Sequence, residues 1–164
     1  MNFTANLMRN TNDREQIVRR VYEYAWGIDT RDWHLYRSIF ADTVHIDFTS
    51  YNPASAAAAM AADDWVANLI PLFSGLDATQ HTMTNPLVDI DGDHARCRMY
   101  MQAVHMFTDD PEPEFTIGGY YDDRLVRTPE GWRIDAVTLT VTWRRGNADI
   151  MRRAREHSTR EDRK

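Results

Sequence analysis

The sequence predicts an α+β fold, in which helices come first and pack on one face of a run of antiparallel strands. From Thr11 to about Leu72, apolar residues recur mostly at helical spacing. From Ala78 onward the period becomes the two-residue alternation of strands. Tight turn signals, Asp91-Gly92 and Thr128-Pro129-Glu130-Gly131, separate those strands. Helices followed by strands is the α+β pattern, and a long sheet curving round helices leaves a concave interior where small-molecule sites form.

Thr11-Asn12-Asp13 reads as a helix start, with Ile17, Val21, Tyr24 or Ala25, and Ile28 on one face. Thr30-Arg31-Asp32 interrupts the pattern, and Asp32 can cap a short second helix presenting Trp33, Tyr36, Ile39 and Phe40. Val44 to Phe48 alternates as a short strand, and Asn52-Pro53 marks a turn. Ala54 to Leu72 is alanine-rich; Trp65, Leu69 and Leu72 form a helical stripe that Pro71 limits. Ala78 to Thr84 reads as a strand ending at Asn85-Pro86. His94 to Phe107 is a long strand whose odd positions, Ala95 through His105 and Phe107, face inward. Asp109 to Glu114 is an acidic loop. Phe115 to Arg127 and Trp132 to Trp143 are further strands, and Asn147 to His157 a closing helix. The expected layout is a flexible arm (residues 1–12), one domain (13–146), and a C-terminal helix with a charged tail (147–164).

The chain has 164 residues, ample for a core with an internal pocket. No apolar run reaches the roughly 18 residues of a membrane span, and the polar start lacks a signal-peptide core, so a cytoplasmic location is expected. A single cysteine, Cys97, excludes an internal disulfide framework and a cysteine-rich zinc site. The net charge of −6 argues against nucleic acid as a partner. No phosphate loop, dinucleotide fingerprint, HExxH, EF-hand loop or GxSxG elbow occurs.

The chemistry therefore rests on polar residues in apolar settings. His81 and His105 lie on strands, each as a proton shuttle or as a paired core histidine. Asp29 closes the first helix, where the helix dipole disfavours a carboxylate; an imidazole or cationic partner would explain it, or it is a simple loop-entry aspartate. Tyr24, five residues earlier, could polarise a carbonyl or donate a proton, or be a core aromatic with its hydroxyl at the rim. Arg144 could bind an anionic or enolate-like group, or be a surface arginine beside Arg145. Asp47, Asp123 and Asp135 are not placed inward by alternation. A two-histidine, one-carboxylate metal site from His81, His105 and Asp29 lacks any short ligand spacing, so no metal is expected.

Ala25-Trp26-Gly27-Ile28-Asp29-Thr30-Arg31-Asp32-Trp33, then Ile46-Asp47-Phe48, Thr79-Gln80-His81 and the inward His105, resemble the SnoaL-like proteins of the nuclear transport factor two and ketosteroid isomerase superfamily. The nearest branch is that of scytalone dehydratase, bile-acid dehydratase and hexachlorocyclohexane dehydrochlorinase. The resemblance implies a cone-shaped, curved mixed β-sheet, or barrel, packed around N-terminal helices over a deep apolar pocket. It implies a dyad in which His81 is the general base and Asp29 orients it. His105 then serves the leaving hydroxyl, with Tyr24 and Arg144 as further site residues. Ile28 and Phe48 stand where scytalone dehydratase has two tyrosines, and His105 where the bile-acid enzyme has an aspartate, so neither substrate transfers. Ile28, Phe48, Trp65, Met101, Tyr120 and Trp143 are the expected pocket lining.

The expectation is a cofactor-independent dehydratase-type lyase acting on a small hydrophobic cyclic or aromatic substrate. Alternatives on the same scaffold are an isomerase, an epoxide hydrolase, a carbon–carbon lyase releasing formaldehyde, or a non-catalytic ligand-binding module. The resemblance also implies a homo-oligomer, a trimer rather than a dimer; from charge and hydropathy, no nucleic-acid or membrane partner is expected.

Overall fold

A computed structural model of the chain describes residues 3–161, with side-chain surroundings for residues 11–158. The first helix, α1 (Phe3–Asp29), begins a full two turns before Thr11, so the chain is helical through most of the expected arm. Asp13 does not cap it. Its buried carboxylate accepts both arms of the Arg127 guanidinium, at 2.7 Å each, and the Trp132 indole N–H at 3.2 Å. A capping carboxylate must fold back on its own first turn; this one reaches across to the sheet instead. Residues 1–2 and 162–164, the outer ends of the expected arm and tail, lie outside the described residues.

Asp32 caps α2 (Trp33–Ser38) as expected, accepting the Leu35 N–H at 2.9 Å. Strand β1 (Phe40–Asp47) starts four residues before the expected one. The alanine-rich stretch contains an unexpected strand, β2 (Ala58–Ala61), which pairs antiparallel with β1 through Val44↔Met60 and Ile46↔Ala58. Helix α3 (Ala62–Ser74) then continues past Pro71 to Ser74.

Strand β3 (Ala78–Asp91) runs straight through Asn85-Pro86. Asn85 takes a left-handed φ of 55°, and the register against the next strand shifts between Thr84 and Leu87. The dipeptide thus makes a bulge rather than an end. β3 is an edge strand, where proline's missing N–H costs no ladder bond. Asp91-Gly92 turns the chain, with Gly92 at a φ of 61°, into β4 (His94–Met106), which alternates as expected. β5 (Glu114–Thr128), β6 (Gly131–Gly146) and α4 (Asp149–Glu161) complete the described residues.

Among the described residues six strands form one sheet in the order β2-β1-β6-β5-β4-β3, with β1 and β6 parallel and the other neighbours antiparallel. The sheet curves without closing. Its inner face and helices α1, α3 and α4 enclose the core. α4 presses against the end of α3 so closely that a Cβ on Gly75 would stand 1.9 Å from the Ala154 carbonyl oxygen. Among the described residues no helix is long and apolar enough to cross a membrane.

Candidate active site

As an edge strand, β3 has backbone N–H groups that no neighbouring strand accepts. The one on His81 is taken by the last residue of α1: it donates to Asp29 Oδ2 at 2.7 Å. The His81 ring donates from Nδ1 to Asp29 Oδ1, also at 2.7 Å, and the Thr79 hydroxyl donates to the same oxygen at 2.9 Å. Partial burial works against the Asp29 charge, but the His81 ring, its N–H and the Thr79 hydroxyl outweigh it and hold the carboxyl below its ordinary range. With Nδ1–H committed to a carboxylate, His81 presents the lone pair of Nε2.

Thr79, opposite His105 across the β3–β4 ladder, brings the second histidine alongside. The two rings are 5.9 Å apart and nearly perpendicular, and the Phe73 ring packs on both, at 6.1 and 6.2 Å. His105 Nδ1 lies 3.1 Å from the Phe115 carbonyl oxygen. A carbonyl only accepts, so the proton sits on Nδ1 and Nε2 is again a lone pair. Burial, with the neighbouring His81, pushes the His105 pKa down to about 4, so at neutral pH this ring is uncharged and accepts rather than donates at Nε2.

Both histidines face a cavity of about 280 Å³. Its buried end holds Tyr24 from α1 and Tyr121 from β5, with hydroxyls 3.4 Å apart. Burial raises both phenols well above their ordinary pKa, so they remain hydrogen-bond donors. Ile28, Phe48 and Trp65 line the walls, joined by Ile117 and Leu139 from the sheet. Tyr51, Met151 and Arg155 stand at the outer end. Asp29 is not on the lining of this cavity; together with His81 it borders a separate cleft between α1 and β3.

Other expected site residues lie elsewhere. Arg144 pairs across the ladder with Ile117 and so starts from the inner face. Its guanidinium, however, donates to the Ser50 and Tyr51 carbonyls at 3.2 and 2.6 Å and covers the Tyr51 ring. It braces the loop that carries Tyr51 rather than lining the cavity. Met101 is buried between Met83 and Gly119 on the neighbouring strands, outside the lining. Tyr120 alternates away from Tyr121 and is 38% exposed on the outer face. Trp143 is 45% exposed there. One extra residue on β6, Thr142, shifts the register between Gly118↔Trp143 and Gly119↔Val141 and reverses the facing that simple alternation predicts.

Of the three further aspartates, Asp47 accepts the Thr49 hydroxyl and N–H. Asp123 is fully buried with Oδ1 unpartnered, and burial raises its carboxyl pKa well above the usual range. Asp135 is half-buried, and its Oδ1 also lacks a partner. Sequence reading missed Tyr121, Phe73, Tyr51, Met151 and Arg155. Inward alternation from Phe115 through Ile117 would have found Tyr121, and the helical stripe from Trp65 would have found Phe73. Tyr51, on an irregular loop, carries no periodic signal. Among the described residues no group of three or more His, Cys, Asp or Glu is placed to hold a metal ion.

The family profile of the SnoaL-like domain matches residues 9–138. A solved protein from Kribbella flavida is 30% identical, covers 87% of this chain and 99% of its own, and superposes with a TM-score of 0.81. A candidate scytalone dehydratase from Novosphingobium aromaticivorans is 19% identical, with coverage of 84% and 89% and a TM-score of 0.73. A hexachlorocyclohexane dehydrochlorinase from Novosphingobium barchaimii is 16% identical, with coverage of 87% and 94% and a TM-score of 0.69. The last two likenesses establish the cone-shaped fold.

Proposed function

The chain belongs to the SnoaL-like domain family, and on that premise we propose that it is a cofactor-independent lyase that eliminates water, or a comparable small leaving group, from a hydrophobic one- or two-ring substrate. The observation that carries this reading is the Asp29–His81 pair, bonded at 2.7 Å, with His81 on the wall of an apolar cavity. A dry wall strengthens the pair and keeps bulk water from competing for the base.

In this reading His81 Nε2 removes a proton from the carbon beside a carbonyl. Asp29 stabilises the imidazolium that forms and keeps the proton on Nδ1, the logic of a base oriented by a carboxylate. The Tyr24 and Tyr121 phenols, which stay protonated, donate to the carbonyl oxygen as it gains enolate charge. His105 Nε2 accepts the hydrogen of the departing hydroxyl and aims it toward His81. The imidazolium returns its proton to that hydroxyl, water leaves, and the carbon–carbon double bond forms with His81 neutral again. Atoms and charge balance without a co-reactant. A cavity of about 280 Å³ lies at the small end of ligand sites, which suits a one- or two-ring skeleton.

The neutral phenols also favour a second reading, isomerisation, in which His81 returns the proton to a different carbon of the same enolate. A panel of β-hydroxy and of β,γ-unsaturated cyclic ketones, incubated with protein in the presence of a chelator, tests both readings. Conjugated absorbance that grows with loss of water from the product, and disappears in His81→Ala, is the expected result. Conjugation without loss of mass selects the isomerase. Binding without conversion, equal in wild type and His81→Ala, overturns both in favour of a ligand-binding module.

A further inference from the structure

Arg31 stands just past α1, in the left-handed region at a φ of 56°. A residue with a side chain holds that conformation only when its surroundings compensate for the strain. Its guanidinium supplies the compensation. One nitrogen donates to the Asp29 carbonyl at 2.8 Å and reaches the Thr79 hydroxyl at 3.5 Å; the other donates to the Phe73 and Leu76 carbonyls, both at 3.0 Å.

These contacts converge on the dyad from three sides. The Asp29 carbonyl is the last of α1, and the Phe73 and Leu76 carbonyls flank the end of α3, so the cation sits where the negative ends of two helices meet. Thr79, reached by the same guanidinium, donates to Asp29 Oδ1. Phe73, whose carbonyl is held, places its ring against both His81 and His105. Asp29 is therefore a carboxylate at a helix C-terminus, where the dipole works against it, and the Arg31 guanidinium, bonded to the terminal carbonyl of that helix, ties down its neighbours.

We propose that Arg31 is a positioning residue for the proposed dyad. By clamping the ends of α1 and α3 to the start of β3, it fixes the turn that aims the Asp29 carboxylate at the His81 ring. It touches no reacting atom and acts through Asp29, Thr79 and Phe73. Lysine cannot reproduce this role, because an ammonium lacks the planar fork that spans separate carbonyl groups. The inference rests on the reading of Asp29 and His81 as a dyad.

Imidazole nitrogen NMR on the full chain, which needs no substrate, tests it. The wild-type spectrum is expected to show His81 as one tautomer, protonated at Nδ1, with a downfield proton protected from solvent exchange. A wild-type His81 without that signature overturns the dyad itself, independently of Arg31. In Arg31→Ala, His81 is expected to lose the protected proton, exchanging at least 10-fold faster, and to become a mixture of tautomers. His105, bonded to the Phe115 carbonyl on another strand, is expected to keep its signal and serves as the internal control. If both signals persist unchanged, the proposal is wrong. If both disappear, Arg31→Lys decides: faster exchange at His81 with His105 unchanged upholds the positioning role, and a wild-type His81 signal refutes it. Once a substrate is identified, Arg31→Ala is expected to lower kcat with little change in KM, because cavity-lining contacts remain.

Discussion

Asp29 binds His81 twice, accepting the ring Nδ1–H at one carboxylate oxygen and the backbone N–H at the other, both at 2.7 Å. The backbone bond fixes where the carboxylate lies relative to β3, and the ring bond fixes the imidazole relative to the carboxylate. A ring held by Asp29 alone could swing about its own side-chain bonds; with the anchoring backbone bond, it has one orientation.

Asp29→Asn breaks this arrangement with almost no change in volume. An amide offers one acceptor oxygen in place of two, so the two His81 donors can no longer both be satisfied, and the Nδ1–H tautomer loses its charge partner. The expected outcome is a fall in kcat on the order of 10²–10⁴-fold, with KM changed little and stability reduced by about 1–3 kcal/mol. Steady-state kinetics and a thermal melt check it together. A variant with undiminished kcat would remove Asp29 from the mechanism.

His105 makes the fold sensitive to acid. Its pKa is about 4 in the folded protein against an ordinary value of 6.5. Between these values the unfolded chain binds the proton and the folded chain does not. Stability therefore rises with pH through this window, and falls as pH drops from about 6.5 toward about 4, by roughly 3 kcal/mol in all. Asp29 adds a loss only lower down, as pH falls below 3.8, because its carboxyl is depressed from that value. Urea midpoints at pH 7 and pH 4.5 are expected to differ clearly in the wild type and much less in His105→Phe. Equal pH dependence in both would place the sensitivity elsewhere.

Asp123 behaves in the opposite sense. Buried on β5 without a partner for Oδ1, it keeps its proton well above the pH at which the unfolded side chain ionises. Stability from this group is full below 3.8 and is lost progressively as pH rises toward the folded value. Asp123→Asn, which cannot ionise, is expected to raise the melting midpoint at pH 7 by on the order of 3 °C, the equivalent of about 1 kcal/mol. The gain should vanish near pH 3. A variant less stable than wild type at pH 7 would show that the carboxyl makes a bond the amide cannot replace.

These residues also show which features are legible before folding. His105 and the inward face of β4 follow from plain alternation, because an antiparallel strand buried on one face repeats every two residues. The cap at Asp32 and the turn at Asp91-Gly92 are local devices, legible from a few neighbouring residues. Strand β2 is not legible: its four alanine-rich residues have little side-chain pattern, and β1 supplies the pairing. Asn85-Pro86 looks like an end because proline usually stops a strand, and only the edge position of β3 lets the strand continue. Trp143 is misplaced because a single extra residue reverses the facing of everything after it. Arg31 is silent in sequence for a different reason. Its three carbonyl partners lie at the ends of two helices that meet only in the folded chain.

The seam between α3 and α4 controls the outer end of the cavity. α4 contributes Met151 and Arg155 to it, and its Ala154 carbonyl lies where a Gly75 side chain would be, 1.9 Å from an added Cβ. The obstructing atom is backbone, so no rotamer change can relieve the clash; α4 must move as a unit. Gly75→Ala is therefore expected to destabilise the fold by about 1–3 kcal/mol, the usual cost of overpacking. It should also loosen α4 before the sheet, seen as faster amide exchange from Ile150 to Ala154 than in β4 and β5. Movement of α4 widens the cavity and admits water beside His81, so kcat should fall although no residue of the dyad has changed. If α4 exchanges at its wild-type rate in Gly75→Ala while the melting point drops, the strain has been taken up within α3, and the outer end of the cavity does not depend on this contact.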